Sequence, residues 1–157
     1  MKSILYATDY SKNSVAALKF AHHLAIKLNS KLTVLHVFDV PLSLASPVSV
    51  SYMKKEKRLF VEHRAKLKAF CKEHLGDSLN GKGITFLVDE NSSVPDSIME
   101  KSLKFDVDLI VVGTKGESRV KEFFLGSTPK ALILKSSCPV LAIPEKSDNL
   151  VLRRIVY

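Results

Sequence analysis

Residues 107–128 read VDLIVVGTKGESRVKEFFLGST, and the succession of residue types in that stretch sets the expected fold. The apolar, largely β-branched run at 107–112 predicts a strand buried on both faces. Gly113 ends it, and the stretch holds three of the six glycines of the chain, Gly113, Gly116 and Gly126. Ser127 and Thr128 then open a helix expected over about 127–135. A buried strand that leaves through a glycine loop into a helix is one half of a βαβ unit.

Outward from this stretch the alternation repeats. The run at 4–7 reads as a strand stopped by Thr8 and Asp9, and Ser11 caps a helix whose apolar residues fall at Leu18, Ala21, Ala25 and Leu28. A second strand is expected at 32–38, a surface loop rich in proline and serine at 39–51, and a long polar helix at about 52–75 stopped by Gly76. Residues 84–88 predict a third strand. Ser93, with Asp96 three residues on, resembles a capping box for a helix through Ile98, Met99 and Leu103. A fifth strand is expected at 139–143. The order βαβαβαβαβ predicts an α/β domain with an open, doubly wound, mostly parallel sheet and right-handed crossovers.

The totals agree with one such domain. Of 157 residues, 46% are hydrophobic and 25% charged, and a chain of this size hides roughly 70% of its unfolded surface without needing disulfides or a structural metal. Cys71 and Cys138 sit in no metal-ligand or CxxC spacing. A reducing cytoplasm is the expected compartment, with no leader segment, and no apolar run reaches the ~20 residues of a membrane span. The net charge of +8 raises the question of nucleic acid. Its densest part, 54–72, is interleaved with acidic residues and lacks interspersed aromatics, which fits a solvated helix face better than a nucleic-acid surface.

Open α/β sheets bind ligands at the carboxyl ends of their strands. Thr8 and Asp9, Val37 and Phe38, Val88 and Asp89, and Val112 and Gly113 are expected there. Gly113 and Gly116 would permit positive φ and leave backbone amides bare, while Gly126, Ser127 and Thr128 would offer a helix N-terminus and two hydroxyls to an anion such as a polyphosphate. Neither the Walker loop nor the GxGxxG fingerprint is present. Plainer roles exist for each residue: a tight turn for Gly113 and Gly116, an ordinary N-cap for Ser127, a cap on the first helix for Asp9.

The spacing Gly-x2-Gly-x9-Gly-Ser at Gly113, Gly116, Gly126 and Ser127 resembles the nucleotide-binding pattern of the universal stress protein family of UspA type. The opening ILYATDYSKNS with Asp9, LHVF at 35–38, DLIVVGTKG at 108–116 and SSCPVLAIP at 136–144 extend the resemblance over residues 2–145. It implies a five-stranded parallel sheet of order 3-2-1-4-5, of the adenine nucleotide alpha hydrolase-like kind, and a cleft that binds ATP, or AMP or ADP, with magnesium as counter-ion. Asp9 and the main chain of Val37 would meet the adenine, and Thr8 and Val112 would line the cleft. Gly113, Lys115 and Gly116 would follow the ribose and phosphates, and Gly126, Ser127 and Thr128 would hold the phosphates. Two departures stand out: Pro129 removes an amide from the anion-binding helix end, and Asn91-Ser92-Ser93 replaces the glycine that many relatives place before the third helix.

The tail RRIVY at 153–157 echoes Lys2-Ser3-Ile4-Leu5-Tyr6. The expected division is therefore a domain at 1–145 and, at 146–157, a linker and tail strand that begins a second, truncated unit or pairs with a neighbour. The function expected is an ATP-binding stress-response module in which the nucleotide is a conformational or dimer-stabilising ligand, the homodimer or tandem pair forming through the edge strand 139–143 or the tail. The alternative is a scaffold of the same fold that binds no nucleotide. No catalytic residue is expected, since Glu117 and Glu122 are loop carboxylates with no evident aim at a phosphate; slow hydrolysis is the most the site would support.

Overall fold

The computed structural model describes residues 1–39, 50–80, 83–114 and 125–145. Five strands form a single parallel sheet: β1 (Ser3–Ala7), β2 (Lys31–Phe38), β3 (Ile84–Glu90), β4 (Leu109–Gly113) and β5 (Val140–Ile143). Their spatial order is β3-β2-β1-β4-β5, as the resemblance implied. The helices between them are α1 (Lys12–Leu28), α2 (Val50–Leu75), α3 (Val94–Lys104) and α4 (Ser127–Lys135), with a 3₁₀ turn at Gly76–Asn80 after α2.

β1 lies in the middle of the sheet, and its Ile4, Leu5 and Tyr6 are completely buried. A strand covered on both faces has no reason to alternate polar and apolar residues, which is why it reads as an unbroken apolar run. Successive side chains still part to opposite faces. Ile4 and Tyr6 join the core under α1 and α2, with Leu18, Leu24, Val34, Leu67 and Phe70. Leu5 joins the core on the other face, with Leu35, Ile98, Ile110 and Leu132. Truncating a side chain such as Leu132, wholly enclosed in the second core, to alanine would cost about 2–5 kcal/mol.

Helix ends follow the local chemistry. Ser11 caps α1, its Oγ accepting from the Ser14 amide at 3.3 Å. Asn29 ends α1 in the left-handed region at φ 50°, so that the Ser30 amide reaches back to the Ala25 carbonyl at 2.8 Å. Gly76, at φ +57°, ends α2 as expected. Several boundaries differ from expectation. β3 runs on to Glu90 because its register with β2 continues through Asp89 opposite Val37 and Glu90 opposite Phe38. β4 begins at Leu109 and not at Val107, since the Asp108 carboxylate turns to accept from the amides of Lys2 (2.6 Å) and Ser3 (3.0 Å). Those two bonds hold the Asp108 carboxyl below its ordinary pKa. β5 begins one residue late, at Val140, although the Pro139 carbonyl still accepts from the Ile110 amide. α2 begins at Val50, two residues before its expected start.

Among the described residues both cysteines are free thiols; Cys71 is enclosed in the core, and burial pushes it up to about 12. No described helix is long and apolar enough to cross a membrane, and no described group of three or more His, Cys, Asp or Glu side chains is placed to hold a metal.

Candidate functional site

β1 has β2 on one side and β4 on the other, so the sheet winds outward through β2 and β3 in one direction and through β4 and β5 in the other. At that divergence the carboxyl ends of β1, β2 and β4 border a cleft of about 280 Å³. The floor comes from the strands: Ala7, Thr8 and Asp9 after β1, Leu35 and Val37 of β2, Val112 and Gly113 of β4. Ser14 of α1 closes one side, Val94 and Ile98 of α3 another, and Gly126, Ser127, Thr128 and Pro129 at the start of α4 the third.

Of the residues expected at a site, Thr8, Asp9, Val37, Val112, Gly113, Gly126, Ser127 and Thr128 therefore border one space. Lys115 and Gly116 lie outside the described residues, as do the tail and the segment 40–49. Sequence reasoning missed Ala7, Leu35, Ser14, Val94 and Ile98. The last two are four apart on one face of α3, a spacing visible in the sequence, but nothing local says which cleft that face meets.

Gly113 is not at positive φ, contrary to expectation. A Cβ there would lie 3.0 Å from the Asn13 carbonyl oxygen and 3.3 Å from the Ser14 amide nitrogen, so this glycine lets the first turn of α1 approach the sheet. Gly126 is also at ordinary φ, −59°, and is itself the N-cap of α4. Ser127 is thus the first helical residue and not the cap. The Gly126 amide donates to the Thr114 carbonyl at 2.8 Å and its carbonyl accepts from the Lys130 amide. No side chain caps α4, and Pro129, the third residue, has no amide hydrogen. What remains toward the cleft are the amides and hydroxyls of Ser127 and Thr128, at the positive end of the helix dipole.

The opposite wall is tied down internally. The Thr8 hydroxyl donates to the Ser14 Oγ at 3.0 Å and accepts from the Tyr10 amide, while Asp9 Oδ1 accepts from the Ser11 amide at 3.0 Å. Asp9 therefore has one oxygen engaged in the turn before α1, the plainer role weighed for it, and a second that this turn does not use. Tyr10 sits in the left-handed region at φ 65°, and its ring lies 4.3 Å from that of His36 and under the ammonium of Lys66 at 4.4 Å. His36 Nδ1 donates to the Thr8 carbonyl at 2.9 Å, which fixes its tautomer because a carbonyl only accepts. The ring of His63 on α2 stacks on Phe38 at 4.1 Å and on His36 at 5.4 Å. Burial lowers the pKa of both histidines, with Lys66 adding to the effect, so both rings are neutral at neutral pH.

The rim at β3 is closed differently from expectation. Asp89 does not enter the cleft: it accepts from Ser97 Oγ at 2.6 Å and pairs with Lys101 at 2.8 Å, fastening β3 to α3, and its hydrogen bond raises the Lys101 pKa. The capping box at Ser93 is half formed. Ser93 Oγ accepts from the Asp96 amide, but the Ser93 amide donates to Asn91 Oδ1 at 2.9 Å in place of the Asp96 carboxylate. Asn91 thus supplies by its side chain the turn that a glycine would supply by its backbone.

The described cleft joins an apolar slot, made by Leu35, Val37, Val94, Ile98 and Val112, to a polar end of hydroxyls and helix amides. It brings no nucleophile and base together. Such a space suits a flat apolar ring carrying an anion.

The family model described as universal stress protein matches residues 1–144. The chain belongs to the universal stress protein family. Among curated relatives, universal stress protein MJ0531 of Methanocaldococcus jannaschii is 29% identical over 143 residues, covering 90% of this chain and 81% of that protein. The solved structure of hypothetical protein MJ0577 from the same organism superposes with a TM-score of 0.70 at 28% identity, covering 91% of this chain and 95% of that one. A universal stress protein from Archaeoglobus fulgidus, solved in complex with dAMP, shares the fold with a TM-score of 0.60 at 19% identity, covering 91% and 98%.

Proposed function

We propose that this universal stress protein is a stress-response regulatory module whose cleft binds an adenine nucleotide, the nucleotide acting as a conformational or dimer-stabilising ligand and not as a substrate. The observation that carries this reading is the pairing, in one space, of an apolar slot with the uncapped N-terminus of α4. The dAMP complex of the Archaeoglobus relative supports it. In this reading the base enters the slot against Val37 and Val112 with Asp9 at its edge, and Gly126, Ser127 and Thr128 meet phosphate. Lys115 and Gly116 are proposed to follow the ribose and phosphates, and magnesium to accompany ATP or ADP. The proposed setting is the cytoplasm, with dimer formation through the edge of β5 or the tail.

Thermal melting with ATP or AMP, with and without magnesium, tests it. Nucleotide at one hundred times Kd should add about 2.7 kcal/mol of stability. A melting temperature indifferent to every adenine compound would favour the second reading, a scaffold of the same fold. Pro129, which removes an amide from the phosphate end, is the observation that speaks for that alternative.

A further inference from the structure

We propose that His36 is a positioning residue for the ligand's base: its imidazole takes the Thr8 carbonyl, ends the β1–β2 ladder there, and leaves the main chain of Val37 turned toward the cleft as an open rung. The inference rests on the nucleotide reading of the cleft.

The hydrogen bonds of β2 fix which way each of its residues turns. In a parallel sheet the main-chain groups of alternate residues bond to opposite neighbours. Leu32 donates to the Gly83 carbonyl at 2.9 Å and Phe38 accepts from the Asn91 amide at 3.0 Å, so the even-numbered residues bond on the β3 side. Lys31 donates to the Lys2 carbonyl at 2.8 Å and Leu35 accepts from the Thr8 amide at 2.9 Å, so the odd-numbered residues bond on the β1 side. Val37 therefore turns its amide and carbonyl to the β1 side, where the next rung would run from its amide to the Thr8 carbonyl. That carbonyl is held by His36 Nδ1 at 2.9 Å, and the register of β1 with β2 ends at Ala7 opposite Leu35. Among the described residues no main-chain bond joins Val37 to Thr8. Both residues border the cleft at this point, together with Asp9.

The imidazole is held from outside the cleft. The Tyr10 ring, carried on the left-handed turn before α1, lies 4.3 Å from it, and the His63 ring of α2 stacks on it at 5.4 Å with the planes 20° apart. A main-chain donor and acceptor at a strand end call for a partner. A flat ring whose edge carries an acceptor nitrogen beside an amino group, as adenine does, answers both within an apolar slot.

Amide hydrogen exchange read by NMR, with and without AMP, and calorimetric titration of AMP test this in the wild type, His36→Phe and His36→Asn. Phenylalanine keeps a ring in the stack and donates nothing, whereas asparagine offers an amide N–H in place of Nδ1. In the ligand-free wild type the Val37 amide should exchange at least about tenfold faster than the Leu35 amide, and AMP should slow it by a similar factor. In His36→Phe the Val37 amide should close on the Thr8 carbonyl and become protected without ligand, and AMP should bind about tenfold more weakly; His36→Asn should recover most of that loss. A Val37 amide as protected as that of Leu35 in the ligand-free wild type would overturn the proposal, and that measurement needs no variant to fold. So would an AMP affinity or a Val37 exchange rate unmoved in a His36→Phe protein that thermal melting shows to be folded. Equal losses in the two variants would assign His36 a packing role only, which also overturns it. A wild type that no adenine compound occupies would remove the nucleotide reading itself, and the base-positioning role with it, whereas bound AMP that leaves Val37 unprotected would overturn the role of His36 alone.

Discussion

Two helices start at the same edge of the sheet, α1 and α4, and they treat their N-termini in opposite ways. α1 carries a side-chain cap: Ser11 Oγ takes the Ser14 amide, Asp9 Oδ1 takes the Ser11 amide, and Ser14 Oγ donates back to the Ser11 carbonyl at 2.7 Å. α4 begins at a glycine that has no side chain to give, with no side-chain cap. Both N-termini border the same cleft, so proximity to the ligand edge does not by itself make a binding element. The difference is that a side chain caps the first turn of α1 and none caps that of α4.

The glycines of β4 and α4 carry the same contrast, and substituting them should give the largest effect. Gly113→Ala places a methyl 3.0 Å from the Asn13 carbonyl oxygen, which should cost about 2 kcal/mol by urea denaturation as α1 is pushed from the sheet. Gly126→Ser adds its Cβ at ordinary contact distance, 3.4 Å from the Thr114 carbonyl oxygen. Stability should move by only a few tenths of a kcal/mol, because serine and glycine are both acceptable caps. Nucleotide binding should weaken all the same, since the serine hydroxyl then competes for the amides. Equal destabilisation by the two would erase the distinction between a packing glycine and a site glycine.

Next in size is the cap of α1. Ser11→Ala removes the acceptor of the Ser14 amide and should cost about 1 kcal/mol in denaturant unfolding. Because Ser14 also receives the Thr8 hydroxyl, the loss should loosen the Asp9 wall and weaken nucleotide binding as a secondary effect.

The smallest predicted effect is a pH dependence confined to the α1 and α2 side. The folded pKa of His36 lies below 6.5, chiefly by burial, with His63 and Lys66 lowering it further and the Thr8 carbonyl and Asp9 acting the other way. His63 is lowered as well, by burial and Lys66, against Glu62. A depressed histidine pKa means that the unfolded chain binds protons first. Stability should therefore be constant above about pH 6.5 and fall as pH drops below it. Replacing His36 by phenylalanine should flatten that slope in thermal melts, and an unchanged slope would show that other groups control it.

Much of this was legible from residue pattern alone, for a physical reason. Strands buried on both faces must be continuously apolar, so β1, β2 and β4 announce themselves, and the strand order places the cleft before any side chain is positioned. What stayed hidden depends on partners distant in the chain. Gly113 borders the cleft, but its part in letting α1 close on the sheet stayed hidden because the backbone of Asn13 is about a hundred residues away and only folding brings it near. Asp89 looked like a rim carboxylate until Ser97 and Lys101 were found holding it. Tyr10 in the left-handed region, under Lys66 and beside His36, left no trace in any local periodicity.

The most direct test of the open helix end is a charge placed on it. Ser127→Asp puts a carboxylate in the first turn of α4, where the dipole favours it, so the folded protein should keep its melting temperature or gain slightly. The same carboxylate occupies the donors and repels phosphate. Calorimetric titration of AMP should show one site per chain in the wild type and none in Ser127→Asp. Undiminished AMP binding by a well-folded Ser127→Asp protein would contradict the assignment of the α4 N-terminus as the phosphate-binding element.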